Sequence, residues 1–118
     1  MARRPDGALE HDIMTVLWAA KASLQPGEVN ERLPTRLAYT SVATVLGRLH
    51  AKGLVQRSES GRAFAYQASV SESALAARRI SDVLSSASDR TSVIAGFVGS
   101  LSKRDAKTLR KLLDGNDR

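Results

Sequence analysis

Four side chains that could bind a phosphate or the polar edge of a base share one side of a stretch with helical spacing. They are Thr40, Ser41, Thr44 and Arg48, which fall together at about 100° per residue. Their hydroxyl groups donate and accept hydrogen bonds, and a guanidinium donates to phosphate oxygens or to guanine. Arg62 follows at a turn signal, Ser-Glu-Ser-Gly. These residue types suit recognition by hydrogen bonds and charge.

Catalysis and metal binding find little support in the same sequence. Glu10, His11 and Asp12 are adjacent, so a helix spreads them around its axis instead of bringing them together. His11 and His50 lie in different predicted helices, and neither has a partner at ligand spacing. The chain has no cysteine, which excludes disulfides, thiolate metal sites and cysteine nucleophiles. We therefore expect no enzyme activity and no cofactor.

The charge of the chain favours a polyanionic partner, namely nucleic acid. The 118 residues carry a formal net charge of +6, and the sequence pI is near 10.3. The excess is concentrated between residues 32 and 62, where Glu59 is the only acidic residue. The basic residues of this segment are Arg32, Arg36, Arg48, Lys52, Arg57 and Arg62.

Length and hydropathy indicate one modest globular domain, or one domain with a small appendage. Hydrophobic residues make up 42% of the chain and aromatic residues 4%, which is typical of an aliphatic core. No stretch approaches about 18 uninterrupted apolar residues, and no apolar segment follows Arg3 and Arg4. We expect a cytoplasmic protein that has no membrane partner.

Three helices and a hairpin are predicted to position the polar side chains. The spacing of Leu9, Ile13, Val16 and Leu17 predicts a first helix that ends near Ala20. A break at Ser-Leu-Gln-Pro-Gly precedes a short second helix, because proline is favoured in the first turn of a helix. The third helix then carries the side chains of interest.

This third helix is predicted over residues 41–51, with Gly53 at its end. Its apolar residues form one arc opposite the polar side, and they are Val42, Val45, Leu46 and Leu49. Two short runs rich in β-formers follow and predict an antiparallel hairpin, with Gly61 at positive φ. Trp18 and Tyr66 are predicted to pack in the core.

Past the hairpin the chain is predicted to be helical again. Ser69 and Glu72 have the spacing of a capping box at the start of a fourth helix. Apolar residues over 93–101 predict a fifth helix. Ser102 then opens a sixth helix, which Gly115 is predicted to end.

The order helix, helix, helix, hairpin is that of a winged helix-turn-helix. In this fold the third helix enters the DNA major groove and the hairpin lies near the sugar-phosphate backbone. The predicted fold class is therefore mainly α with a small β-hairpin.

Several segments also resemble one family of bacterial regulators. The segments are "LEHDIMTVLW", "EVNERL", "YTSVATVLGRLHAKGLVQR" and "GRAFAYQ". In this order, and across nearly the whole chain, they resemble the BlaI/MecI/CopY family of repressors, which includes the penicillinase repressors. The most specific part is the R-L-x-x-K-G-L-V run joined to G-R-x-x-x-Y.

The resemblance implies a homodimer whose winged helices bind an inverted repeat in operator DNA. It implies a DNA-binding domain over residues 1–68 and a helical dimerisation region over residues 69–118. The implied DNA contacts are Thr40, Ser41, Thr44, Arg48 and Arg62, with Tyr39 and Lys52 on the backbone side. The predicted dimer contacts are Ile80, Val83, Leu84, Ile94, Phe97, Leu101 and Leu109.

The resemblance also implies control of beta-lactamase or related antibiotic-response genes. Penicillinase repressors are inactivated when a sensor-linked protease cuts an Asn-Phe bond in the dimerisation helices. The matching place here is Gly96-Phe97, where the phenylalanine agrees and the asparagine does not. Copper-responsive members carry C-terminal cysteines, so the absence of cysteine argues against copper sensing.

Two alternatives remain open from the sequence. In one, the winged helix docks proteins and its basic surface is incidental. In the other, the protein binds DNA but is released by a small ligand between the dimer helices instead of by proteolysis.

Overall fold

The structure is a computed structural model that describes residues 6–116 of the chain, and it confirms a mainly α fold with one hairpin. No helix in this range is long and apolar enough to span a bilayer. The elements in chain order are α1 (Asp6–Ala19), α2 (Pro26–Arg32), α3 (Tyr39–Ala51), β1 (Val55–Ser60), β2 (Ala63–Ala68), α4 (Glu72–Ser86), α5 (Arg90–Ser100) and α6 (Lys103–Asn116).

The chain divides into two compact units, and the division falls within α4. The first unit ends at Leu75 and the second begins at Ala76. The first unit therefore holds α1, α2, α3, the hairpin and the first turn of α4. The second unit holds the rest of α4 together with α5 and α6.

The core of the first unit is aliphatic. The predicted apolar arc of α3 is confirmed, because all four of its members are buried. Tyr66 is buried, and Trp18 packs against the core while its Nε1 donates to the carbonyl of Val70 at 2.9 Å. The largest fully buried side chains are Ile13, Met14, Val29, Val42, Leu46 and Leu49.

The hairpin is tighter than the sequence predicts. The strands are antiparallel with Ser60 opposite Ala63, so Gly61 and Arg62 alone form the turn. Gly61 has a φ of +66°, as predicted, and glycine in the first turn position is typical of a type II′ turn. Because this turn matches the twist of the strands, Ser-Glu-Ser joins β1 instead of forming a loop.

A short extended segment before α2 adds a third strand-like element, which the sequence did not indicate. The N–H of Leu24 donates to the carbonyl of Tyr66 at 2.9 Å, and the N–H of Tyr66 donates to the carbonyl of Leu24 at 2.7 Å. These two bonds fasten β2 to the connection between α1 and α2. They satisfy backbone groups of a buried tyrosine.

A glycine motif ends α3 where the sequence predicts it. Gly53 has a φ of +77°, and its N–H donates to the carbonyl of His50 at 3.0 Å. The N–H of Leu54 donates to the carbonyl of Leu49, also at 3.0 Å. This is the Schellman arrangement, which turns the chain sharply from α3 into β1.

The predicted capping box at the start of α4 is wrong. Ser71 caps the helix instead, because its Oγ accepts from the N–H of Ala74 at 3.1 Å. Ser69 is occupied elsewhere, since its hydroxyl donates to the carbonyl of Gly53 at 2.8 Å. Ser69 therefore closes the open end of the hairpin onto the end of α3.

The later helices also have side-chain caps. Ser102 opens α6 as predicted, since its Oγ accepts from the N–H of Asp105 at 3.0 Å. Asp89, which the sequence did not indicate, caps α5 by accepting from the N–H of Ser92 at 3.0 Å. The prediction that Gly115 ends α6 is wrong, because the helix continues past it. Glycine tolerates helical backbone at a cost of about 1 kcal/mol.

Candidate nucleic-acid interface

The exposed side of α3 carries the side chains that the sequence singled out. Thr40, Ser41, Thr44 and Arg48 are exposed, and the opposite side of the helix is buried in the core. The buried side fixes the helix, so the exposed side is presented on a rigid support. The helix begins two residues earlier than predicted, so Tyr39 is the first residue of α3, and Tyr39 is 52% exposed.

These residues surround a shallow depression on the first unit. Its apolar part comes from Leu9 and Val45, and its polar part from the hydroxyls and the guanidinium of α3. Short side chains leave the helix backbone accessible, which allows close approach to base edges. The lining residues are Leu9, Thr40, Ser41, Thr44, Val45 and Arg48.

Two arginines of the first unit, one on α3 and one in the hairpin turn, lie apart from the acidic side chains described there. Among residues 6–116, neither Arg48 nor Arg62 forms a salt bridge. Arg62 lies at the exposed tip of the hairpin, in the second position of its two-residue turn. Two guanidinium groups are thus free to meet phosphates, one on the helix and one on the wing.

Lys52 differs from these arginines, because it already has a partner. Its Nζ donates to Oε1 of Glu10 at 2.9 Å and to Oε2 at 3.0 Å. Glu10 lies on α1, so the pair joins the end of α3 to the start of α1. No local pattern indicates this contact, since 42 positions separate the two residues.

A buried asparagine holds the connection between α2 and α3. Asn30 is only 5% exposed, and its side chain binds both backbone groups of Leu37. The Nδ2 of Asn30 donates to the Leu37 carbonyl at 2.6 Å, and the Leu37 N–H donates to Oδ1 at 2.8 Å. This clamp fixes the path of the chain into α3. The sequence analysis did not predict this clamp. The signal that could have indicated it is a single polar residue, Asn30, on the apolar face of α2.

The wing is fastened to α2 by a glutamine. The Nε2 of Gln25 donates to the carbonyl of Ser60 at 3.0 Å, beside the turn that carries Arg62. The backbone N–H of Gln25 donates to the Glu28 carboxylate at 3.0 Å, which holds the start of α2. The position of Arg62 is therefore linked to the helix-turn-helix itself.

The second unit presents an apolar surface. None of the described side chains from residue 76 to residue 115 is buried. Of the predicted dimer contacts, Ile80, Val83, Ile94 and Phe97 are exposed, and Leu84, Leu101 and Leu109 are half-buried. Further exposed apolar residues are Val93, Val98, Leu112 and Leu113.

Gly96 and Phe97, the predicted cleavage position, both lie inside α5. The side chain of Phe97 is 50% exposed. A Cβ added at Gly96 would meet no atom within 4 Å, so the helix has room for a larger residue there.

Metal binding gains no support from the geometry. The rings of His11 and Trp18 form a T-shaped pair, with 6.3 Å between ring centroids, and His50 lies on α3. The part of the chain that the structure describes contains no group of three or more histidine, aspartate or glutamate side chains arranged around a common centre.

Comparison with known proteins identifies the family. The family model described as penicillinase repressor matches residues 7–115. The chain is 35% identical over 112 residues to the transcriptional regulator BlaI of Mycobacterium tuberculosis, strains CDC 1551 / Oshkosh and ATCC 25618 / H37Rv, covering 91% of this chain and 81% of that protein. The fold is similar to that of a mutant of the Staphylococcus aureus protein MepR, with a TM-score of 0.50, 17% identity and coverage of 92% of this chain and 74% of the other. The chain therefore belongs to the penicillinase repressor family of transcriptional regulators.

Proposed function

We propose that this chain is a homodimeric, cytoplasmic repressor that binds palindromic operator DNA and controls beta-lactamase or related antibiotic-response genes. Residues 1–68 would bind the DNA, and residues 69–118 would hold the two protomers together. The observation that carries the proposal is the exposed polar side of α3, which stands on a buried apolar side and lies in the same unit as the wing arginine. Family membership supports the regulatory role.

The proposed contacts divide between base edges and phosphates. Thr40, Ser41 and Thr44 contact bases, because short hydroxyl side chains reach base edges only at close range. Arg48 and Arg62 hold phosphates, which fixes the position of the helix in the groove but carries no sequence information. Tyr39, exposed at the start of α3, would lie against the backbone.

The second unit supports the homodimer. An exposed apolar surface of this kind is uncommon on a monomer, and it marks an interface with another molecule. A second copy of the chain would cover it with the same surface around a two-fold axis. The same axis would place two α3 helices on half-sites about one DNA turn apart, or a small multiple of that distance.

Release would follow from a cut in α5 between Gly96 and Phe97 by a sensor-linked protease. A protease needs extended chain, and Gly96 and Gly99 each weaken the helix by about 1 kcal/mol relative to alanine. Separation of the protomers removes linked binding, which costs on the order of a hundredfold in affinity without altering any DNA contact.

Selection from random DNA tests the DNA-binding proposal. The wild-type protein should enrich an inverted repeat, and its affinity for that repeat should fall steeply as salt rises. Scrambled DNA of the same length is the control, and it should bind much more weakly. An affinity that is the same for both DNAs and does not change with salt concentration would contradict the proposal and favour the protein-docking alternative.

Incubation with the sensor-linked protease tests the release step. A cut should appear at Gly96-Phe97, and Gly96→Asn, for which the helix has room, should be cut at least as fast. Phe97→Ala is the matched control and should resist cleavage. An intact wild-type chain, together with release from DNA by a small ligand, would contradict proteolysis and favour the ligand alternative.

A further inference from the structure

A single ion pair joins the end of α3 to α1 within the described part of the first unit. Both oxygens of Glu10 accept from the Nζ of Lys52, at 2.9 and 3.0 Å. The two side chains differ in exposure, with Glu10 at 14% and Lys52 at 55%. The carboxylate is therefore the shielded partner, and the ammonium reaches it from the surface.

The shielding of Glu10 makes the pair hard to give up. A carboxylate that is largely removed from water loses hydration, and an opposite charge in hydrogen-bond contact offsets that loss. A phosphate that captured Lys52 would leave this carboxylate without its cation. Transfer of Lys52 from Glu10 to a DNA phosphate would therefore cost free energy, because it would leave a shielded carboxylate unpaired.

The location of the pair lets it influence the exposed side of α3. Lys52 directly follows the last residue of the helix and precedes Gly53, where the chain turns away. At the other end of α3, the Asn30 clamp on Leu37 fixes the incoming chain. The helix is thus held at both ends, once by a buried amide and once by an ion pair.

We propose that Lys52 is a positioning residue that acts through Glu10, and that it is not a phosphate ligand. The pair sets the angle at which α3 presents Thr44 and Arg48. This inference rests on the proposed DNA binding, and it replaces the sequence prediction that Lys52 lies against the DNA backbone. The two roles predict opposite results for a change at Glu10.

Operator binding by Glu10→Gln and Lys52→Met separates the two roles. As a positioning pair, each variant should lose about fivefold in operator affinity, the upper range for a partly exposed ion pair. The double variant should be no worse than either single one. Binding to scrambled DNA, and the slope of log affinity against log salt, should stay at the values of charge-matched controls.

Matched controls account for the altered net charge. Glu31→Gln and Lys21→Met change an exposed residue of the same type in the same unit. Charge reversal adds a second test, because Glu10→Lys combined with Lys52→Glu should recover most of the lost operator preference. Melting temperatures of all variants show whether a loss of affinity merely follows unfolding.

A phosphate-binding Lys52 would give a different pattern. Glu10→Gln would then free the lysine and tighten binding. Lys52→Met would weaken operator and scrambled DNA alike, and it would lower the salt slope of the dimer by about 1.8, or about 0.9 for each protomer. That pattern, or a charge reversal that restores nothing, would overturn the inference. Failure of the wild-type protein to prefer any operator would instead overturn the proposed function.

Discussion

The first unit buries its apolar side chains within itself, and the second unit leaves its own on the surface. In α3, the four apolar residues are between 0 and 6% exposed. In α5, Val93, Ile94, Phe97 and Val98 are between 38 and 50% exposed. Both helices have apolar residues at helical spacing, yet only one of them is covered by its own chain.

The two units therefore have different requirements. The first unit has a complete core, so its exposed polar side is available for recognition. The second unit has no buried side chain among described residues 76–115, and in the proposed homodimer a second copy of the chain would cover its apolar side chains. Substitutions in the two units should therefore fail in different ways, in assembly for the second and in DNA contact for the first.

The largest effect is expected from Phe97→Asp in the second unit. A carboxylate in an apolar interface loses hydration without gaining a partner, so the protomers should separate. Operator affinity should then fall by on the order of a hundredfold, with the first unit still folded. Mass in solution by light scattering and operator titration measure the two effects.

Thr91→Asp, at an exposed polar position of the same helix, is the control and should leave the dimer intact. An unchanged mass for Phe97→Asp would show that Phe97 lies outside the interface, and the contrast between the two units would lose its functional meaning.

A smaller effect is expected from Arg62→Ala in the first unit. Loss of a charged hydrogen bond to phosphate should weaken operator and scrambled DNA equally, by on the order of tenfold. The salt slope for the DNA-bound dimer should fall by about 1.8, which is about 0.9 for each of the two protomers. Arg90→Ala makes the same charge change in the second unit and should leave the slope unaltered. An effect on the operator alone would contradict a phosphate contact.

Thr44→Val should have a more selective effect. The change keeps the shape of the side chain and removes its hydroxyl, so operator affinity should fall by about fivefold while scrambled DNA binds as before. Thr15→Val on α1 is the matched control, since its hydroxyl donates to its own helix at the carbonyl of His11. Equal losses on both DNAs would show that Thr44 does not contact bases.

The smallest effect is expected at the cap of α5. Two hydrogen bonds from Ser92 lower the pKa of Asp89 below its ordinary value of 3.8. A lowered folded-state pKa means that the stabilisation is fully present above the ordinary value and is lost as pH falls through the folded-state pKa. The acid side of the stability profile therefore reports on this cap.

Asp89→Asn keeps a capping oxygen but cannot change charge. Its melting temperature should lie slightly below that of wild type near neutral pH, and the gap should close as pH falls below 3.8. Asp82→Asn, in the middle of α4, is the control and should show a smaller change in the gap. A gap that stays constant with pH would contradict the charged cap.

Local signals in the sequence predicted the elements well. Helical spacing located the buried arc of α3, and Gly53 and Gly61 adopt the positive φ that their positions indicated. These features depend on a few neighbouring residues, so the sequence contains what is needed. The prediction of the α4 cap was wrong because two nearby serines could each have capped the helix. The hydroxyl of Ser69 donates to the carbonyl of Gly53, and Ser71 caps α4.

Long-range contacts were beyond the same reasoning. The pairing of Leu24 with Tyr66 and the ion pair of Glu10 with Lys52 each join residues about 40 positions apart. Neither contact follows from the residues next to it in the sequence. For the ion pair, the sequence alone does not show which glutamate lies beside which lysine. The exposed side of α3 was predictable, and the contacts that orient it were not.

Affinity for one half-site compared with the full inverted repeat tests the division between the units most directly. Wild-type protein should bind the repeat at least about a hundredfold more tightly than a single half-site, because the second unit links two first units. Phe97→Asp should bind both DNAs with nearly the same, weaker affinity. Equal binding of half-site and repeat by the wild-type dimer would contradict the view that the second unit serves to pair the first.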